Sequence, residues 1–142
     1  MHNKDKIKII ITDDSPHFNE GLKHLLSDFE TFEIIATCSN GKELLDSDML
    51  ILADLLLTDI EMPILDGIKT GKKINFHYPN LPMIALTMHQ EKIFLHELVR
   101  AGYRGFVHKP DISKDLMNVI DKVLNNKFSF PEDLKIAYKG GK

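Results

Sequence analysis

Five residues of the 142-residue chain have the types that handle phosphate and metal: Asp13, Asp14, Asp59, Thr87 and Lys109. Three carboxylates gathered in one place repel one another, and a hard divalent cation with oxygen ligands is the natural way to hold them together. Mg2+ suits this donor set best, because it keeps several waters and usually shares its shell with phosphate oxygens. A lysine ammonium is a mobile point charge for phosphoryl oxygens, so Lys109 fits a phosphate brought to the same place. With the metal screening its charge, an ionised Asp59 can attack phosphorus without a general base and become an aspartyl phosphate. Transition metals prefer His or Cys ligands. The 7 histidines show no HExxH spacing, and His89 and His108, the two nearest this set, read as solvated or packing residues.

Such a set forms only if the elements deliver it to one edge. The stretch LLLTDIEMPILDG at 55–67 opens with a continuous aliphatic run, the pattern of a strand covered on both faces in a parallel sheet. Asp59 reads as the first residue to emerge from it, an exposed carboxylate kept ionised at little cost. A cap on the turn toward Pro63 is the plainer alternative. Apolar runs alternate with helix-period segments along the chain, a βα alternation. IKIIIT at 7–12 precedes Ser15 and Pro16, a helix cap and first-turn proline, and Phe18, Leu22, Leu25, Leu26 and Phe29 are spaced for one helical face. After FEIIATC, Asn40 and Gly41 open a short helix carrying Leu44 and Leu45. A third helix is predicted from about Asp66 to Phe76, and HYPNLP then breaks the chain. PMIALT leads to a helix near Glu91 to Ala101 with Gly102 as its end signal; GFVHK leads to Pro110 and a helix started by Ser113. In that last helix Leu116, Val119, Ile120, Val123 and Leu124 form an apolar stripe, read as core like that of the first helix.

Five βα units with short turns imply an α/β fold with a doubly wound parallel sheet, since a closed eight-stranded barrel needs a much longer chain. Ligands of such sheets sit beyond the carboxyl ends of the strands, where the strand order reverses. The first strand ends in Asp13 and Asp14, the third in Asp59, the fourth in Thr87 and the fifth in Lys109, so the whole set converges on one edge.

The length suits one domain, and 43% hydrophobic residues supply a core without disulfide or metal staples. The single Cys38 has no partner in the chain, which fits a reducing, cytoplasmic compartment. No apolar run approaches the roughly 20 residues of a membrane span, and MHNKDKIK lacks a signal-peptide core, so a soluble, unexported protein is expected. With 18 Lys and Arg against 21 Asp and Glu, the net charge of -3 offers no general attraction to nucleic acid. The basic stretch LKIAYKGGK at the C-terminus reads as a solvated tail.

Taken together, the acidic pair after the first strand, Asp59 ending the third, MPILDG, ALTMH and AGYRGFVHKP resemble the receiver domains of bacterial two-component response regulators, over about Lys6 to Asn126. The resemblance implies a flavodoxin-like fold, a five-stranded sheet in the order 2-1-3-4-5 flanked by five helices. It implies that Asp13 and Asp14 hold Mg2+ with Asp59 and the backbone carbonyl of Glu61. It further implies that Asp59 accepts a phosphoryl group from a histidine kinase or phosphotransfer protein, as in a phosphorelay, with Lys109 beside it. Thr87 is then the switch hydroxyl and Phe106 the switch aromatic that follows it inward, changing the surface of the fourth helix, fifth strand and fifth helix. Pro63 and Gly67 shape the acceptor loop. Glu61 and His89 stand where the family tunes phosphoryl lifetime, and both are bulky and polar, so slow self-dephosphorylation is expected. Such a protein transfers phosphoryl onto its own Asp rather than turning over an outside substrate, and often dimerises when phosphorylated.

LTMH and AGYRGFVHK are closer to the branch whose receivers often precede a helix-turn-helix output domain. After the receiver at 6–126, residues 127–142 read as a tail or a linker stub. The expectation leans toward a stand-alone receiver that acts on a downstream protein, with a receiver linked to an output domain as the other reading. A pseudo-receiver that binds without phosphorylation is the main alternative. A phosphatase of the haloacid-dehalogenase type is disfavoured because Asp59-Ile60-Glu61-Met62-Pro63 departs from Asp-x-Asp-x-Thr, and a Rossmann site because TDDSPHF has no Gly-x-Gly-x-x-Gly.

Overall fold

Every residue of LLLTD and of MIALT is buried, as two-sided burial of the middle strands of a parallel sheet requires. A computed structural model of the chain describes residues 5–134. Its strands are β1 (Ile7–Thr12), β2 (Phe32–Cys38), β3 (Leu55–Asp59), β4 (Met83–Thr87) and β5 (Gly105–His108). They form one parallel sheet in the order β2-β1-β3-β4-β5. The helices are α1 (Pro16–Ser27), α2 (Gly41–Asp46), α3 (Gly67–His77), α4 (Lys92–Ala101) and α5 (Ile112–Leu124), with short 3-10 turns at Leu50–Leu52 and Lys109–Asp111. The expected doubly wound α/β architecture is what forms.

Alternation along each strand feeds two cores. Ile9, Ile11, Leu55, Leu57, Ile84 and Leu86 pack on one face against α1 and α5, while Ile10, Leu56, Met83 and Ala85 pack on the other against α2, α3 and α4. The stripe of α5 is buried at Leu116, Val119, Ile120 and Val123, each such side chain contributing about 1.5–3 kcal/mol of transfer free energy. Most caps follow the sequence signals, but α5 begins at Ile112 after Asp111 with no side-chain cap hydrogen bond, so Ser113, the predicted start, lies inside the helix. Ser15, Asn40 and Asp66 accept from the amides of Phe18, Glu43 and Lys69, and Gly102 closes α4 at φ 104°, where a side chain would be strained. Phe29 departs from expectation: α1 stops at Ser27, so Phe29 lies beyond the helix, 38% exposed and edge-on to Phe32.

The domain also extends past Asn126, where sequence placed its end. Asn126 turns the chain with φ 63°, in the left-handed region that Asn tolerates. The chain then returns along β5: the Ser129 amide donates to the Arg104 carbonyl at 2.8 Å, and Phe130 and Leu134 join the core. Apolar residues at 128, 130 and 134 explain the return, since they have surface to bury. The basic stretch, apart from Leu134, lies outside the described residues. Among the described residues, no helix is long and apolar enough to cross a membrane.

Candidate functional site

The order 2-1-3 reverses between β1 and β3, which is where ligands of open parallel sheets bind. Asp13 and Asp14 follow β1 and Asp59 ends β3; one carboxylate oxygen from each lies within 4.8 Å of the others. Asp13 is fixed from three sides. The Ser15 amide donates to Oδ1 at 2.9 Å, the Asn19 carboxamide donates to its backbone carbonyl at 3.0 Å, and Lys109 Nζ donates to Oδ2 at 2.6 Å. Asp14 is exposed.

Asp59 is not the emergent, solvated carboxylate that the sequence suggested. It is 5% exposed, because β3 is covered on both faces up to its last residue. Burial, and next the charge of Asp13, push its pKa up to about 6, against the pull of Lys109 and the Ile60 amide. Lys109 Nζ lies 3.2 Å from Asp59 Oδ1 and 4.4 Å from the centre of the Phe18 ring. Burial favours the neutral amine, yet the hydrogen bond to Asp13 and the charges of Asp59 and Asp13 outweigh it and hold the ammonium above the ordinary lysine range. The Lys109 cation therefore bridges two buried carboxylates and stands over an aromatic face, a favourable place for a cation.

The loop after Asp59 is closed by backbone. Gly67 donates its amide to the Ile60 carbonyl at 2.8 Å, and a Cβ at Gly67 would meet the Asp59 carbonyl oxygen at 2.5 Å. The Tyr103 hydroxyl donates to the Gly67 carbonyl at 2.7 Å, and Gly71 leaves room for its ring. Over the loop, His89 Nε2 pairs with Glu61 Oε2 at 2.7 Å, and the His89 ring is edge-on to Phe94. His108 contacts Asp111 and the Met88 carbonyl, each at 3.2 Å, so it packs as expected.

Asp13, Asp14, Asp59 and Lys109 are thus brought together. Thr87 sits nearby at the end of β4, with its hydroxyl oxygen accepting from the His89 amide at 2.9 Å. Phe106 stands apart from them: its ring packs toward α4 and stacks on Phe130. Sequence reasoning missed Asn19, Phe18 as the platform for Lys109, Tyr103 and Phe130. Asn19 had a signal, because it shares the buried face of α1 with Leu22 and Leu26, and a buried amide there needs a partner, which its NH2 finds in the Asp13 carbonyl.

The donor set fits Mg2+, since three carboxylates in mutual reach offer hard oxygen ligands and no sulfur or imidazole. The family model described as response regulator receiver domain matches residues 9–121. The transcriptional regulatory protein LnrK of Bacillus subtilis is 30% identical over 128 residues, covering 90% of this chain and 58% of that protein. DegU of Brevibacillus brevis is 28% identical over 107 residues, 75% of this chain and 45% of that protein. The chain therefore spans about half the length of these curated relatives. Among solved structures, the isolated receiver domain of RcsB from Salmonella enterica serovar Typhimurium, in the presence of the phosphomimetic BeF3-, superposes with a TM-score of 0.80 at 27% identity, covering 92% of this chain and 97% of that one. The chain belongs to the receiver domains of two-component response regulators.

Proposed function

We propose that the protein is a phosphorylation-dependent switch in which Asp59 accepts a phosphoryl group from the phosphohistidine of a histidine kinase or phosphotransfer protein. The observation that carries this reading is the contact of Lys109 with Asp59 inside the Asp13, Asp14, Asp59 cluster. A carboxylate oxygen of Asp59 forms the bond to phosphorus, the bond from phosphorus to the donor nitrogen breaks, and its electron pair leaves with the imidazole. Asp13, Asp14, Asp59 and the Glu61 carbonyl would hold Mg2+, which when bound supplies positive charge for the phosphoryl oxygens. Lys109, in contact with both Asp13 and Asp59, contributes a further positive charge beside the acceptor. Positioning and charge neutralisation supply most of such catalysis, and an ionised Asp59 needs no base.

Thr87 and Phe106 serve as the switch. Turning the Thr87 hydroxyl toward the phosphoryl group breaks its bond with the His89 amide, and Phe106 follows, a local charge event that biases a two-state element. The product is a changed protein surface, read by a downstream protein or a linked output domain, or by a second copy; the chain turns over no outside substrate. A cytoplasmic location suits a partner that phosphorylates it.

A titration with Mg2+, followed by backbone amide chemical shifts, tests this against a pseudo-receiver. Shifts confined to residues near 13, 14 and 59–61, lost in Asp13→Asn, are expected. A folded protein whose amides do not respond at millimolar Mg2+ would favour the pseudo-receiver.

A further inference from the structure

The α4–β5 side of the sheet is covered by the chain's own C-terminal segment. The Phe130 ring, 8% exposed, stacks on Phe106 with 5.6 Å between centroids and 24° between planes. Ser129 pairs in parallel with Gly105 and donates to the Arg104 carbonyl, adding one rung to the edge of β5, the last strand of the sheet. Leu134, 1% exposed, shares a core cluster with Leu95, Leu98 and Val99 of α4, and Asp133 pairs with Lys92. A cleft of about 320 Å³, bordered by Phe106, Asp115, Asn118 and Phe130, separates the segment from much of α5, so the segment is held chiefly by β5 and α4.

We infer that the α4–β5 face is a docking surface whose occupant in the unphosphorylated protein is residues 128–134 of the same chain, and that the Phe130–Phe106 stack couples that occupancy to the state of Asp59. The coupling rests on the switch role of Phe106 given above. Phe106 cannot keep its ring parallel to Phe130 and also turn toward Thr87. Moving it inward takes away one wall of the place where Phe130 sits, and the aromatic contact goes with it. Docking and phosphorylation then oppose each other, and by linkage the opposition is reciprocal: the docked segment weakens the phosphorylated state by the factor by which phosphorylation loosens the segment. Release uncovers the β5 edge, whose unpaired backbone groups can accept a strand from another chain.

The test uses the full chain with Mg2+ and BeF3-. Hydrogen exchange reads the Ser129 and Leu134 amides, and titration reads the BeF3- affinity of the wild type and of Phe130→Ala. Ser129→Pro is the second variant, since it removes the amide that donates to Arg104 while keeping both rings. The expected result is faster exchange at these amides once BeF3- binds, and roughly fivefold or more tighter BeF3- binding in both variants, given the usual range of allosteric coupling. If BeF3- binds the wild type but leaves exchange unchanged, and both folded variants bind it with wild-type affinity, the segment is merely an extension of the core and the inference is overturned while the phosphoacceptor reading stands. If BeF3- fails to bind the folded wild type at all, the phosphoacceptor reading is overturned, and the coupling falls with it.

Discussion

Lys109 Nζ lies 2.6 Å from Asp13 Oδ2, a contact across 96 residues that ties the end of β5 to the end of β1. The same ammonium is the nearest cation to Asp59 among the described ion pairs. Removing it leaves two buried carboxylates without their counter-charge, and breaking a buried pair from one side is costly because the remaining charge is uncompensated. Lys109→Ala is expected to lose roughly 3 kcal/mol of stability in EDTA, and Mg2+ should restore part of it. Urea unfolding with and without Mg2+ measures both.

Asp59 itself opposes folding when ionised. The folded protein holds the Asp59 proton more tightly than the unfolded chain, with a pKa of about 6 against an ordinary 3.8, first through burial and then through Asp13. Protons bound are equal in both states below the lower value, so Asp59 has no effect there. The penalty grows as pH rises from about 4 to 6 and is full above that, on the order of 2–3 kcal/mol. In EDTA, Asp59→Asn should therefore be more stable than the wild type at pH 8 by about that amount, and no more stable near pH 4. Denaturant midpoints across the range check the sign. At low Mg2+, phosphorylation by acetyl phosphate should likewise rise with pH through about 6, as Asp59 ionises.

Gly67 has no space for a side chain, because a Cβ would press on the Asp59 carbonyl and on the Ile60 Cα at 2.6 Å. Backbone on both sides leaves nothing flexible to yield. Gly67→Ala is expected to cost roughly 1–3 kcal/mol, the usual range for overpacking, and to slow phosphoryl uptake by shifting the acceptor. Thermal unfolding and the phosphorylation rate, taken on one preparation, separate the two effects.

Glu61 and His89 meet at 2.7 Å, so under the proposed phosphoacceptor role of Asp59 they would act as one barrier to an attacking water rather than two. Loss of phosphoryl group should be slow in the wild type and faster in Glu61→Ala and in His89→Ala. The double variant should be little faster than either single one, because residues in direct contact act non-additively. Decay of the phosphorylated mass with time measures this, and rates that multiply in the double variant would refute a shared barrier.

The strands were legible because aliphatic runs such as IKIIIT and LLLTD leave little choice once both faces of a sheet are covered. Asp13, Asp14, Asp59 and Lys109 were legible because each stands at a strand end, and the architecture gathers strand ends. Asp59 was misjudged in one respect: position in sequence shows where a strand stops, but the depth of cover over that point depends on loops from elsewhere in the chain. Tyr103 and Phe130 gave no local signal of their roles, since a hydroxyl reaching Gly67 and a ring reaching Phe106 are facts of tertiary packing. The return of residues 127–134 was hinted at by Phe128, Phe130 and Leu134, whose spacing matches neither helix nor strand cleanly enough to mark a docked segment.

Asp59 is proposed as a Mg2+-dependent phosphoacceptor. Intact-mass spectrometry after incubation with acetyl phosphate, with and without Mg2+, on the wild type and on Asp59→Asn, tests it most directly. One added phosphoryl group that requires both Mg2+ and Asp59 is expected. A folded wild type that gains no mass under any condition, or an Asp59→Asn protein that gains the same mass, would contradict it.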